Sequence, residues 1–130
     1  MQDRRGFDRL KLDGNVSIKS ENGRPMDFKA FLENISFVGF GMYSAHKVDR
    51  DSIVEFELSS QPLDQPLTGT GRVKYVVEPA ASRSAFYNMG IEFIDTNKDL
   101  VTYLIKKVQA KMAEDALGRS HTAHIDFIPY

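Results

Sequence analysis

The chain has 130 residues, a formal net charge of −1, 42% hydrophobic residues and 27% charged residues. This length and composition predict one globular domain with its own core. The near-neutral charge argues against a protein that binds DNA or RNA polymers, so any anion site must be local. The sequence has no cysteine, which excludes disulfides, thiolate catalysis and cysteine-based zinc sites. Its three histidines, His46, His121 and His124, do not form a convincing metal set.

The sequence carries no sign of a membrane segment. No apolar stretch approaches the length of a membrane span, and no apolar signal-peptide core follows the polar start Met1–Arg5. We therefore expect a cytoplasmic protein without membrane insertion.

Alternating apolar and polar residues predict six short strands from residue 10 onward. The clearest begins at Leu10, and the Asn22–Gly23 pair within the turn at 21–25 is typical of a tight hairpin. The predicted strands cover residues 10–19, 27–35, 39–43, 54–58, 67–77 and 86–94.

After the sixth strand the apolar period becomes helical. Thr96 and Asp99 resemble a capping box, and Gly118 is a plausible stop. The predicted helix places one apolar stripe along its length, made of Leu100, Val101, Leu104, Ile105, Val108 and Met112.

These elements predict a mainly β fold, a small six-stranded antiparallel barrel with a C-terminal α-helix over one open end. We divide the chain into a flexible N-terminal arm at 1–9, a barrel plus helix at 10–118 and a tail at 119–130. The tail is apolar enough to pack on the body or on a partner, and the sequence favours neither.

Two motifs carry the chemistry. The segment Arg5–Arg9 has arginines four residues apart, and the segment Asn34–Gly39 reads Asn-x-Ser-x-x-Gly. Arginine forks match phosphate oxygens and the O6/N7 edge of guanine, so the arginines favour an anionic ligand that contains guanine. The alternative without a ligand is that these arginines belong to a solvated basic arm, or form salt bridges to Asp3 and Asp8.

The second motif has a geometric reading as well. Asn34 and Ser36 share a sheet face if the strand continues, with Ile35 facing the core, and together they can read a guanine edge. The alternative is a strand-end turn in which both bond their own backbone. Gly39 would supply positive φ or a close backbone approach to a ligand. Phe37 and Phe40 are more typical of core residues.

Together, the two motifs resemble those of the PilZ domain family, bacterial receptor modules for cyclic di-GMP. The resemblance covers roughly residues 4–110, and Val73–Tyr75 and Met89–Phe93 look like the family's later strands. It implies a PilZ-like split barrel of six strands with a C-terminal helix.

The resemblance also implies roles for individual residues. Arg5 and Arg9 would bind the guanine edge and phosphates of cyclic di-GMP, with Asn34, Ser36 and Gly39 as further ligand contacts. Arg4 looks like the residue that favours a stacked ligand pair over one ligand; a surface arginine is the alternative. Tyr75 occupies a place where relatives often put an aromatic near the purine; the alternative is a cross-strand core or surface aromatic.

The leading hypothesis is a non-enzymatic cyclic di-GMP receptor whose arm changes conformation and signals to a separate protein in motility, exopolysaccharide or adhesion control. A nucleotide-independent interaction module of the same fold and a small barrel for single-stranded nucleic acid are the alternatives. The sequence shows no nucleophile–base pair, Walker loop or metal-ligand spacing, so we expect no enzyme activity and no cofactor. A monomer is the default, and a ligand-linked dimer is possible.

Overall fold

The computed structural model describes residues 9–79 and 85–125, with side chains described up to residue 117. Arg4, Arg5, most of the predicted arm and the end of the predicted tail lie outside the described residues. Six strands are followed by a long helix: β1 (Leu10–Glu21), β2 (Arg24–Ile35), β3 (Gly39–Ser44), β4 (Ile53–Ser59), β5 (Leu67–Val77), β6 (Tyr87–Thr96) and α1 (Lys98–Ile125).

The strands form a closed antiparallel barrel in the order β1-β2-β3-β6-β5-β4, and the β1–β4 pair closes it. The predicted mainly β fold with a C-terminal helix is therefore confirmed. Asn22 and Gly23 have φ values of 51° and 83°, as the tight hairpin between β1 and β2 requires. The turn is shorter than predicted, because Arg24 and Pro25 already pair with β1.

The core fills the barrel interior with residues from every strand. Phe40 and Phe56 pack edge to face with ring centroids 5.0 Å apart, and Phe93 contacts both rings. Four residues of α1 complete this core from outside the sheet: Val101, Leu104, Ile105 and Val108. The predicted helical stripe ends there, because Met112 is 51% exposed.

Both predicted ends of the helix are corrected. The Asn97 side chain, rather than Thr96, caps α1: its Oδ1 accepts a hydrogen bond from the Leu100 amide at 3.1 Å. Thr96 still belongs to β6 and donates its hydroxyl to the carbonyl of Thr68. At the other end, α1 continues past Gly118 to Ile125, so residues 119–125 of the predicted tail are helical.

Candidate functional site

One row of four residues crosses four neighbouring strands on the outside of the barrel. Asn34 of β2 pairs with Gly41 of β3, Gly41 pairs with Gly90 of β6, and Gly90 pairs with Tyr75 of β5. Two residues without side chains therefore lie between an amide and an aromatic ring. We call this the two-glycine floor, defined by Gly41 and Gly90.

Two β-bulges explain why Asn34 and Tyr75 both flank this floor. The β2–β3 register shifts between Leu32 and Asn34, so Glu33 is the extra residue of β2. Leu32 and Ile35 are buried, whereas Glu33 and Asn34 between them are only half-buried. The bulge thus turns two successive side chains outward, and the second of them is Asn34.

A second β-bulge lies in β5 and turns Tyr75 outward. The register of β5 against β6 shifts between Val73 and Tyr75, which makes Lys74 the extra residue. Val73 is fully buried and Val76 packs against the core, while Lys74 is exposed and Tyr75 half-buried between them. Strict alternation would have turned Tyr75 inward with Val73.

Each floor glycine makes room for one flanking side chain. A Cβ on Gly41 would lie 2.9 Å from Oδ1 of Asn34, and a Cβ on Gly90 would collide with the Tyr75 ring. The ring therefore rests on the Gly90 backbone. Gly41 in the same way accommodates the Asn34 amide.

Arg9 joins the two sides of the row. Its Nη1 donates a 3.0 Å hydrogen bond to Oδ1 of Asn34, and its Cζ lies 5.8 Å from the centroid of the Tyr75 ring. The second distance is that of a cation–π contact. The Arg9 guanidinium is therefore held both by the Asn34 oxygen and by the face of the Tyr75 ring. The Asn34 side chain thus bonds the first motif rather than its own backbone.

Ser36 adopts the second of the two arrangements that its sequence allowed. β2 ends at Ile35, so Ser36 does not share a strand face with Asn34. It is 3% exposed and closes the turn to β3: its amide donates to the Gly39 carbonyl at 2.8 Å, and its Oγ accepts from the Val38 amide at 3.2 Å. This is the strand-end turn considered for Ser36.

Gly39 is needed for close backbone packing rather than for positive φ. Among the described residues, Gly23 is the only glycine with positive φ. A Cβ on Gly39 would collide with the carbonyl of Ile91 on β6. Of the neighbouring aromatics, Phe40 is buried as predicted, but Phe37 is 44% exposed, contrary to its predicted core role.

A depression of about 240 Å³ lies beside the Tyr75 ring. Two cations and one anion line it, and the Lys74 ammonium pairs with the Glu92 carboxylate at 3.8 Å. Its wall includes Arg9, Gly39, Lys74, Tyr75, Gly90 and Glu92. A planar ligand with negative charge has here a ring to stack on and two cations to meet.

Glu33, the extra residue of the β2 bulge, has two hydrogen-bond partners on the same outer face. Its carboxylate accepts hydrogen bonds from the Tyr43 hydroxyl at 2.7 Å and from Nδ2 of Asn88 at 3.0 Å. The Glu33 bond is also the main reason that the pKa of Tyr43 is raised, because losing the phenolic proton would remove the bond and place two anions together.

A second depression, of about 280 Å³, lies between α1 and the start of β1. Its charged side chains are mixed in sign, Lys11, Lys107 and Lys111 against Asp13 and Asp115, and it contains no predicted site residue.

In the described part of the chain, no group of three or more histidine or carboxylate side chains could hold a metal ion. No helix within those residues is both long and apolar enough to span a bilayer.

The structure brings together Arg9, Asn34 and Tyr75, places Gly39 on the wall of the adjoining depression and puts Ser36 in the turn before Gly39. Arg4 and Arg5 lie outside the described residues, and their roles stay predictions.

The sequence did not point to Glu33 or Lys74, nor to the way in which Gly41 and Gly90 leave room for the side chains of Asn34 and Tyr75. The mid-strand position of the two glycines could have indicated that another group approaches the backbone closely there. The two bulges left no such signal in the sequence.

Comparison with known proteins agrees with this architecture. A search of curated protein sequences gave no match. Among solved structures, the inhibitor of motility MotI (DgrA) from Bacillus subtilis is similar, with a TM-score of 0.69 and 14% identity over 87% of this chain. This chain spans about half of that protein, 53% of its length.

The PilZ domain of YcgR from Escherichia coli, solved with c-di-GMP, is similar with a TM-score of 0.68 and 11% identity. That match covers 88% of this chain and 98% of the YcgR domain. At such identities the two structures show a common fold. The sequence model described as PilZ domain matches residues 3–110, well over half of the chain. The chain therefore belongs to the PilZ domain family.

Proposed function

We propose that this chain is a non-enzymatic receptor for cyclic di-GMP. The observation that carries the proposal is the Arg9 guanidinium, held between Oδ1 of Asn34 and the ring of Tyr75 at 3.0 Å and 5.8 Å. Membership of the PilZ family and similarity to a YcgR domain solved with c-di-GMP support the choice of ligand.

The chemistry of the row suits a purine nucleotide. Arg9 offers a planar fork for a guanine edge or a phosphate, and its contact with Asn34 fixes the fork before the ligand arrives, which lowers the entropy cost of binding. The Tyr75 ring offers a stacking surface, and aromatic stacking contributes about 1–3 kcal/mol per base. Lys74 adds a second cation beside the depression.

We assign Arg5 as the second arginine of the ligand site and Arg4 as the residue that favours a stacked ligand pair. Ser36 and Gly39 would contact the ligand from the turn before β3. The segment before Arg9 would change conformation over this barrel face on binding, and the altered face would signal to a separate protein in the cytoplasm. We take the free protein to be a monomer; a stacked ligand pair could link two copies.

Calorimetric titration with cyclic di-GMP tests the proposal. We expect wild type to bind, and Arg5→Ala and Arg9→Ala each to weaken binding at least about tenfold, because each removes charge-assisted hydrogen bonds of about 1.5–3 kcal/mol. Arg50→Ala is the matched control: Arg50 is an exposed arginine in the loop before β4, and its loss should leave the affinity unchanged.

The same titration separates the alternatives. A stoichiometry near two ligands per chain in wild type, falling to one in Arg4→Ala, would support the role of Arg4. Absence of heat with wild type would contradict the proposal and favour a nucleotide-independent interaction module. Competition by excess single-stranded RNA would instead favour a nucleic-acid-binding barrel.

A further inference from the structure

The Glu33 carboxylate ties three strands together next to the two-glycine floor. Tyr43 and Asn88, which donate to it, are direct cross-strand partners on β3 and β6. Glu33 itself is the bulge residue of β2. Its side chain therefore extends from β2 over β3 to β6, and each carboxylate oxygen accepts one bond, at 2.7 Å and 3.0 Å.

The position of Asn34 depends on this bulge. Glu33 precedes Asn34 directly, and the extra residue is what turns Asn34 outward to Arg9. In a strand without the bulge, a shift of one residue would send Asn34 to the opposite face. Backbone pairs flank the bulge, at Leu32 with Met42 and at Asn34 with Gly41, but Glu33 itself has no ladder partner on β3. Its two side-chain hydrogen bonds add to those pairs in holding the bulge in one register.

We propose that Glu33 is a positioning residue: through Tyr43 and Asn88 it fixes the β2 bulge, and the bulge presents the Asn34 amide to Arg9. The inference rests on the proposed function for its affinity readout, but the arrangement it describes exists without ligand. Glu33 acts on the ligand only through Asn34.

A double-mutant cycle measures that dependence. The proteins are wild type, Glu33→Ala, Asn34→Ala and the double variant, each titrated with cyclic di-GMP. We expect Glu33→Ala to weaken binding about tenfold in wild type, and by less than about twofold when Asn34 is already alanine. The matched control is Glu55→Ala, which removes an exposed glutamate from β4. It should leave the affinity for cyclic di-GMP unchanged both in wild type and in the Asn34→Ala protein.

A measurement without ligand separates this inference from the proposed function. In amide nitrogen–proton spectra of the free proteins, we expect the Asn34 side-chain signals and the Arg9 guanidinium signal to move in Glu33→Ala and to stay in place in Glu55→Ala. Thermal unfolding of each variant verifies that the barrel is folded.

The outcomes are distinct. Undisturbed Asn34 and Arg9 signals in a folded Glu33→Ala protein would overturn the inference, whether or not cyclic di-GMP binds. An equal loss of affinity in the presence and absence of Asn34 would also overturn it, because Glu33 would then act on the ligand independently. If wild type does not bind cyclic di-GMP, the proposed function is contradicted but the inference about Glu33 is not. The spectra of the free proteins would still decide the role of Glu33.

Discussion

The ring of Tyr75 rests on the backbone of Gly90, where any other residue would carry its Cβ. The two residues are cross-strand partners, and the ring at this place also contacts the Arg9 guanidinium. A glycine in β6 thereby controls the position of a side chain in β5 and, through it, of the arginine above the floor.

Gly90→Ala should displace the Tyr75 ring and destabilise the barrel by about 1–3 kcal/mol, because a new methyl group has no room beneath the ring. The three atoms nearest the new methyl group all belong to the Tyr75 ring, so in a Tyr75→Ala background the cost should fall to within about 0.5 kcal/mol. Urea unfolding of the four proteins measures both values. An equal cost in both backgrounds would show that the ring is not what Gly90 accommodates.

Tyr75 should serve through its ring face rather than its hydroxyl. Tyr75→Phe keeps the surface that faces Arg9 and should bind cyclic di-GMP within about twofold of wild type, whereas Tyr75→Leu should lose about fivefold or more. Calorimetry distinguishes the two variants. Similar affinities for phenylalanine and leucine would mean that Tyr75 has only a packing role.

The sequence predicted most of the fold because its signals are local. Alternation in β4, a period change after β6 and the Asn22–Gly23 turn each depend on neighbouring residues. The start of α1 was placed one residue too early because Thr96 and Asn97 are both good caps, and only the bond from Thr96 to Thr68 assigns Thr96 to the sheet.

The site was less predictable because its geometry depends on non-local pairing. Nothing in the run from Leu32 to Asn34 marks a bulge; the extra residue exists only relative to the register of β3. The two-residue spacing of Asn34 and Ser36 gives a shared face only if the strand continues, and the turn to Gly39 ends it. Motif spacing identified the residues, and cross-strand register decided how they face one another.

The helix cap allows a test away from the ligand site. Asn97→Ala removes the acceptor for the Leu100 amide and should lower the free energy of unfolding by about 1 kcal/mol, since an N-cap contributes roughly 0.5–2 kcal/mol. Asn97→Ser retains an acceptor and should restore most of the loss. Denaturant unfolding measures the difference, and cyclic di-GMP affinity should be equal in all three proteins. A loss from Asn97→Ser as large as that from alanine would argue against the cap.

The Tyr43–Glu33 bond should be visible in the ionisation of Tyr43. The bond raises the Tyr43 pKa above its usual value of 10.0, because it favours the protonated phenol. The corresponding stability is present below pH 10 and is lost as the pH rises through the higher pKa of the folded state. Glu33→Gln removes the negative charge and should lower that pKa towards its usual value. Ultraviolet titration measures it as the difference between each protein and its Tyr43→Phe counterpart, and an unchanged Tyr43 pKa in Glu33→Gln would show that the carboxylate does not control the phenol.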